Sequence, residues 1–332
     1  MNLIDTTALN RRELLLALSA GTLSAVALPV VAQSFPARAV RIIPFGTGGG
    51  PIDSLARVYG EKLHALWSQA IVVEPKPGAS GIIAADAVAR ANPDGYTVLM
   101  TMPITHINNA ILQPKLPYDP VKDFTPLSIV GTGGPMLVAR ADAPYNNLQE
   151  FIEYAKKSPK GLTYGTWGNG SAAHLFGELL KRQTGANLIH APYKAEAAAH
   201  NDMFGGALDF AWANPSTARA LMAGGKLKAL AVSGTRRLSI LPQVPTFTEL
   251  GFKGFDIDSW IGFYGPAQMP PAVQEAWVSA LTKITAMPDV AARLVSYGFE
   301  PLVSTPAQFA ERYQRDYPRT AQLIKEAGVT FQ

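Results

Sequence analysis

The sequence predicts an α/β protein built as two lobes with a ligand cleft between them. Three observations lead there. Strand-like and helix-like segments alternate in two separate stretches of the chain, the pattern of parallel sheets covered by helices. With 332 residues, 48% of them hydrophobic, the chain favours two lobes over one core. Three glycine-rich loops, GTGGGPID, PGASG and TWGNGS, each follow a strand and precede a helix. Loops at the carboxyl ends of strands line the clefts of open α/β sheets.

In chain order, the first segment is NRRELLLALSAGTLSAVALPVVAQ. Arg11 and Arg12 precede an apolar stretch from Leu14 to Val31, and Val30 and Ala32 supply the small residues of a cleavage site. This order predicts an export signal over residues 1–32, cleaved near Ala32. Gly21, Ser24 and Pro29 interrupt the apolar run, which argues against a retained anchor. The arginine pair leaves the Sec and twin-arginine routes both open.

AVRIIPF then reads as a buried strand, and Ile52 to Trp67 as a helix with Leu55, Tyr59, Leu63 and Leu66 at helical spacing. AIVVEPK is a second strand, IIAADAVARA a helix ending before the turn Asn92-Pro93-Asp94-Gly95, and YTVLMT a third strand. The alternation resumes with GLTYGT, the helix AAHLFGELLKRQTG closed by Gly185, and NLIHAPY. A helix from Ala195 to Phe204, ALDFAWA, a helix through Ala218 to Ala223, and KLKALAVSG complete the second α/β unit. PAVQEAWVSALTKITA, PDVAARLVSYG and TPAQFAERYQRDYPRTAQLIKEAG form a helical C-terminal part.

Composition narrows the function. Net charge is only +4 and no block of consecutive basic residues occurs, so a nucleic-acid partner is not expected. An exported chain with no cysteine has neither disulfides nor a lipid-anchored cysteine. The five histidines, 64, 106, 174, 190 and 200, lack metal-ligand spacing, so no metal is expected. The first glycine loop places Pro51 where a dinucleotide fingerprint needs its last glycine, and no Gly-Lys-Ser/Thr follows, so no nucleotide cofactor is expected either.

No G-x-S-x-G elbow occurs, although Ser171 and His174 stand three apart at a helix start. A cleft hydrolase using that pair is the enzymatic alternative; a helix cap and a structural histidine are the plainer reading of the same residues. What remains for the loops is anion capture. Helix N-termini offer free N–H groups and about half a positive charge, and glycines let a ligand approach the amides.

At these residues the chain resembles the Bug family, the periplasmic solute-binding receptors of tripartite tricarboxylate transporters. The resemblance runs from about Ser34 to the end through ordered phrases that include IIPFGTGGGPIDSLAR, NPDGYTVLM, LPYDPVKDFTPLSIV, YGTWGNGSAAHLFGELLK and SWIGFYGPAQMP. It implies the two-lobed periplasmic-binding-protein (Venus flytrap, type II) fold, with residues 33–130 and 258–332 as the first lobe and 131–257 as the second. It also implies a small carboxylate held in the cleft without catalysis, membrane permease subunits as partners, and a monomer outside the cytoplasmic membrane. A sensor for a membrane signalling system is the alternative role. Crossover strands near Leu127 to Val138 and near Ser259 to Tyr264 are the expected hinges.

Carried over residue by residue, the resemblance assigns Phe45, Gly46, Thr47, Gly48, Gly49 and Asp53 in the first loop to ligand binding. Gly78, Ala79, Ser80 and Gly81 follow from the second loop, and Thr105, His106 and Asn108 from MPITHINNAIL. The second lobe contributes Thr166, Trp167, Gly168, Gly170, Ser171, His174, Tyr193, Lys194, Asp209 and Asn214. The chain departs from the family pattern in several places. Its first loop is one residue longer, Pro75-Lys76, Ile82, Ala195 and Ala213 replace usual residues, and Trp167 stands where a small residue is usual. Fewer polar groups and an added indole point to an aromatic or medium-chain carboxylate; the alternative is that Trp167 packs against its own lobe and narrows the cleft for a smaller ligand.

Overall fold

Val40, Ile42 and Ile43 are almost fully buried, and the strand they form sits inside the parallel half of a six-stranded sheet. The computed structural model describes residues 35–329, so the export signal expected over residues 1–32 lies outside the described residues. The first sheet contains β1 (Val40–Pro44), β2 (Ile71–Val73), β3 (Thr97–Thr101) and β4 (Phe124–Gly133). The second contains β5 (Met136–Arg140), β6 (Leu162–Thr166), β7 (Leu188–Pro192), β8 (Phe210–Ala213) and β9 (Leu227–Val232). β10 (Ser259–Pro266) and β11 (Glu300–Pro301) return to the first.

Strand order is β11-β4-β10-β3-β1-β2 in one sheet and β7-β6-β8-β5-β9 in the other. β2 and β3 flank β1 in parallel, while β10 runs antiparallel between β3 and β4. In the second sheet β6 pairs in parallel with β7 and β8, and β5 runs antiparallel between β8 and β9.

The helices are α1 (Pro51–Trp67), α2 (Ile82–Ala89), α3 (Asn109–Leu112), α4 (Leu148–Lys157), α5 (Ala172–Thr184), α6 (Glu196–Phe204), α7 (Pro215–Ala223), α8 (Pro271–Thr285), α9 (Pro288–Ser296) and α10 (Pro306–Ala327). Sequence chemistry sets several starts. Pro51, Pro215, Pro271, Pro288 and Pro306 open their helices, where a missing N–H costs nothing. Ser171 caps α5 by accepting from His174 N, and Thr305 with Gln308 forms a reciprocal capping box on α10. A π-turn at Ile104–Asn108 leads into α3.

Each sheet has its own core. Tyr59, Leu63, Phe263 and Trp277 pack on the first, and Phe151, Tyr164, Phe210 and Trp212 on the second. The chain passes between the sheets at Gly134-Pro135, directly after β4, and returns through residues 233–258 into β10. Ser259 pairs with Gly133, so the two crossings run side by side. A methyl group on Gly134 would lie 2.5 Å from the Ser233 carbonyl oxygen, which explains glycine at this close approach. α10 makes a third connection: Phe309 lies in a core on the first sheet, Leu323 and Ile324 in the core of the second.

Candidate functional site

The parallel strands of both sheets end towards these crossings, so the loops that follow them meet around one cavity of about 240 Å³. Phe45, Pro51 and Ile52 reach it from the loop after β1, and Met102, Ile104, Ile107 and Asn108 from the segment after β3. Trp167, Ser171 and Ala172 come from the loop after β6, Asn214 and Pro215 from the end of β8. Thr320 and Leu323 of α10 close one side. The volume is below the about 300–1,000 Å³ of drug-sized pockets and suits a smaller molecule.

The lining is mainly apolar and contains no Lys, Arg or His. Its two carboxylates are already engaged. Asp258 accepts from the backbone and hydroxyl of Thr235, and Asp316 is paired with Arg312 and Arg315. Attraction for a ligand anion therefore falls to backbone donors and the N-terminal ends of α1 and α5; the start of α7, also represented in the wall, already meets the Glu196 carboxylate.

In the first loop, Gly49 adopts a positive φ of 79° and donates its N–H to Asp53 Oδ2 at 2.8 Å. Arg57 donates to the same carboxylate at 3.0 and 3.1 Å. Burial pushes the Asp53 carboxyl up, but the Arg57 and Gly49 hydrogen bonds and the Arg57 charge outweigh it and hold the group below its ordinary value. Asp53 therefore braces the loop from behind. Gly46 through Gly49 follow Phe45 in the chain and do not line the cavity.

Trp167 is half-buried, packs on the core of the second sheet, and lines the cavity. The neighbouring Thr166, Gly168 and Gly170 shape its turn: Thr166 Oγ1 accepts from Gly168 N and bonds His190 Nε2. Ser171 Oγ donates to Gly168 O at 2.7 Å and accepts from His174 N, while His174 Nδ1 accepts from Gly170 N. No hydrogen bond joins the Ser171 hydroxyl to the His174 ring, so the pair is not arranged as nucleophile and base.

Several expected ligand residues lie elsewhere. Thr105 and His106 have no exposed surface. The His106 ring stacks on Tyr264 with centroids 4.0 Å apart, and its Nδ1 bonds Thr105 Oγ1 at 2.7 Å. The π-turn rotates both residues into the first lobe and leaves Asn108 as the polar side chain at the cavity. Asp209 precedes β8, at the amino end of the sheet, where it accepts from Thr163 N and Oγ1. It lies a strand's length from the cleft. Tyr193 bonds Asp202 at 2.6 Å, and Lys194 is exposed. Gly78, Ala79 and Ser80 are exposed and Gly81 is buried against Phe45 and Thr105; none of the four lines the cavity.

The sequence reading missed Ile257, Tyr297 and Phe299, which reach the cavity from segments without glycine-loop signals. It also missed Glu196. This side chain is only 14% exposed and accepts from Asn214 N at 2.8 Å and from the Asn214 side-chain amide. Its burial became legible only once α6 and α7 were placed together.

Comparison with known proteins agrees with this geometry. Residues 55–329 match the family described as "Tripartite tricarboxylate transporter family receptor". The UPF0065 protein in the TAR-I ttuE-ttuC' intergenic region of Agrobacterium vitis is 32% identical over 312 residues, covering 92% of this chain and 90% of that protein. The structure of the periplasmic binding protein BugD has a TM-score of 0.79 at 34% identity, over 90% of this chain and all of its own. That of R. palustris Rpa4515 with adipate has a TM-score of 0.83 at 28% identity, over 90% of this chain and 100% of that one. With the match running from α1 to the end of α10 and a BugD likeness over 90% of the chain, the chain belongs to the tripartite tricarboxylate transporter receptors, the Bug-type periplasmic solute-binding family.

Proposed function

We propose that the chain is a periplasmic receptor that captures a small carboxylate with an apolar body, aromatic or medium-chain, and delivers it to a tripartite tricarboxylate-type permease in the membrane. The observation that carries this reading is the cavity itself: an apolar wall containing Trp167, no cationic side chain, and three helix N-termini around it. The adipate bound to the R. palustris neighbour supports a carboxylate of this size. The lobes, residues 33–130 with 258–332 and residues 131–257, close on the ligand as a monomer after residues 1–32 are removed. Closure shifts a population between open and closed forms and performs no chemistry.

Benzoate, adipate, glutamate and citrate titrated against intrinsic fluorescence and thermal midpoint test the reading. A ligand bound only by the folded state raises the midpoint in proportion to RT ln(1+[L]/Kd). Benzoate or adipate should raise it and perturb the Trp167 emission, with the response reduced in Trp167→Ala. Tight citrate binding with no response to the other acids overturns the apolar-body assignment.

A further inference from the structure

We propose that Glu196 is a specificity-determining residue of this cleft, rejecting a second ligand carboxylate at its α7 end so that single carboxylates are preferred over dicarboxylates. The inference rests on the carboxylate-receptor reading and deepens it.

Glu196 opens α6 immediately after β7, at the same end of the sheet as Asn214. Its Oε1 accepts from Asn214 N and its Oε2 from Asn214 Nδ2. The protein's own carboxylate therefore occupies donors at the start of α7 that otherwise favour an anionic ligand. Because Nδ2 of Asn214 is held by Glu196, the carboxylate also fixes the orientation of a side chain in the cavity wall.

The charge of Glu196 is not balanced locally. Among the described residues its closest basic group is His200 Nε2 at 3.9 Å, and no Lys or Arg pairs with it. His200 Nε2 bonds the Trp212 carbonyl at 3.2 Å, and burial lowers its pKa, disfavouring the charged ring. Asp53 at the start of α1 is the contrast, with Arg57 bonded to both oxygens. A ligand's first carboxylate has the ends of α1 and α5 available. A second one directed at α7 meets a like charge through one intervening residue, inside an apolar wall with no cation.

Protonation should switch this rejection. Burial pushes the Glu196 carboxyl up, against the hydrogen bonds from Asn214, to about 7. Its charge is therefore present at pH 8 and largely absent at pH 6. Free aliphatic carboxylates, ordinarily with a pKa of about 4.3, stay ionised throughout that window.

The test is calorimetric titration of the full mature chain with hexanoate and adipate, two six-carbon acids that differ by one carboxylate, at pH 6 and pH 8. In the wild type the ratio Kd(adipate)/Kd(hexanoate) should be roughly tenfold larger at pH 8 than at pH 6. In Glu196→Gln, which keeps shape and one acceptor, the ratio should be small and the same at both pH values. The thermal midpoint of the variant at pH 8 should not fall below wild type. An equal ratio at both pH values in the wild type overturns the proposal without any variant. So does a Glu196→Gln ratio unchanged from wild type. Failure of both acids to bind at either pH instead overturns the carboxylate-receptor reading on which the proposal stands.

Discussion

His106 is a neutral imidazole held where its charged form is costly. It has no exposed surface, stacks on Tyr264 and contacts Phe124 edge-on, and burial pushes its pKa down to about 3. His190 is likewise lowered to about 3, first by burial and then by the neighbouring His174. A histidine whose folded pKa lies below its ordinary 6.5 contributes stability that is complete above 6.5 and lost as pH falls towards 3. The thermal midpoint should therefore drop steeply between pH 6.5 and pH 4. His106→Phe, which keeps the stack and removes the titration, should flatten that drop in scanning calorimetry; an unchanged slope would place the acid sensitivity elsewhere. The same residue marks the limit of what sequence shows at this scale. Phe45, Trp167, Ser171 and Asn214 stand directly beside a strand end or helix start, so local pattern carries them to the cleft. His106 sits in a π-turn, whose wider turn shifts side chains off α-helical spacing, and its direction depends on aromatic partners from β4 and β10. Glu196 acquires its environment from α7, eighteen residues on.

At the scale of elements, α10 joins the two cores and contains a proline near its middle. Pro318 has no N–H to donate back to Gln314, which weakens the ladder where the helix passes from Phe309 to Leu323. Arg312 ties the upstream half to the second crossing through the Asp258 carbonyl, and Arg319 ties the downstream half to Asp256. The interruption makes Pro318 the compliant point of the third connection. Pro318→Ala restores the hydrogen bond and should raise the thermal midpoint by roughly 2–4 °C, while reducing the ligand-induced change in scattering. A lower midpoint would show that the proline is required by packing. Continuous periodicity in TPAQFAERYQRDYPRTAQLIKEAG predicts one helix through this proline, and α10 runs from Pro306 to Ala327. The alternating strands of both units are equally legible because buried parallel strands are short apolar runs between turn signals. β4 and β5 are harder: LSIVGTGGPMLVAR is one nearly continuous apolar stretch, and only pairing assigns its halves to different sheets.

At the scale of the molecule, one hydrogen bond spans the cleft between residues of the two sheets' loops. Asn108 Nδ2, from the segment after β3, donates to the Gly170 carbonyl at 2.9 Å, and Asn108 is 95% buried there, with 5% of its surface exposed. Leu112 and Ile111 follow it onto the core of the second sheet. In the open–closed equilibrium proposed above, this contact exists only with the loops together and so favours the closed form. A net hydrogen bond is worth about 1 kcal/mol, which shifts a two-state population roughly fivefold. If closure creates the binding-competent form, affinity falls by the same factor as the closed population. Asn108→Ala should therefore weaken carboxylate binding about fivefold while leaving the thermal midpoint of the unliganded protein within a degree or two. Small-angle scattering of the unliganded variant should show a larger radius of gyration than wild type, converging with it at saturating ligand. Unchanged scattering together with weakened binding would make Asn108 a ligand contact, and unchanged binding would remove it from the closing equilibrium altogether.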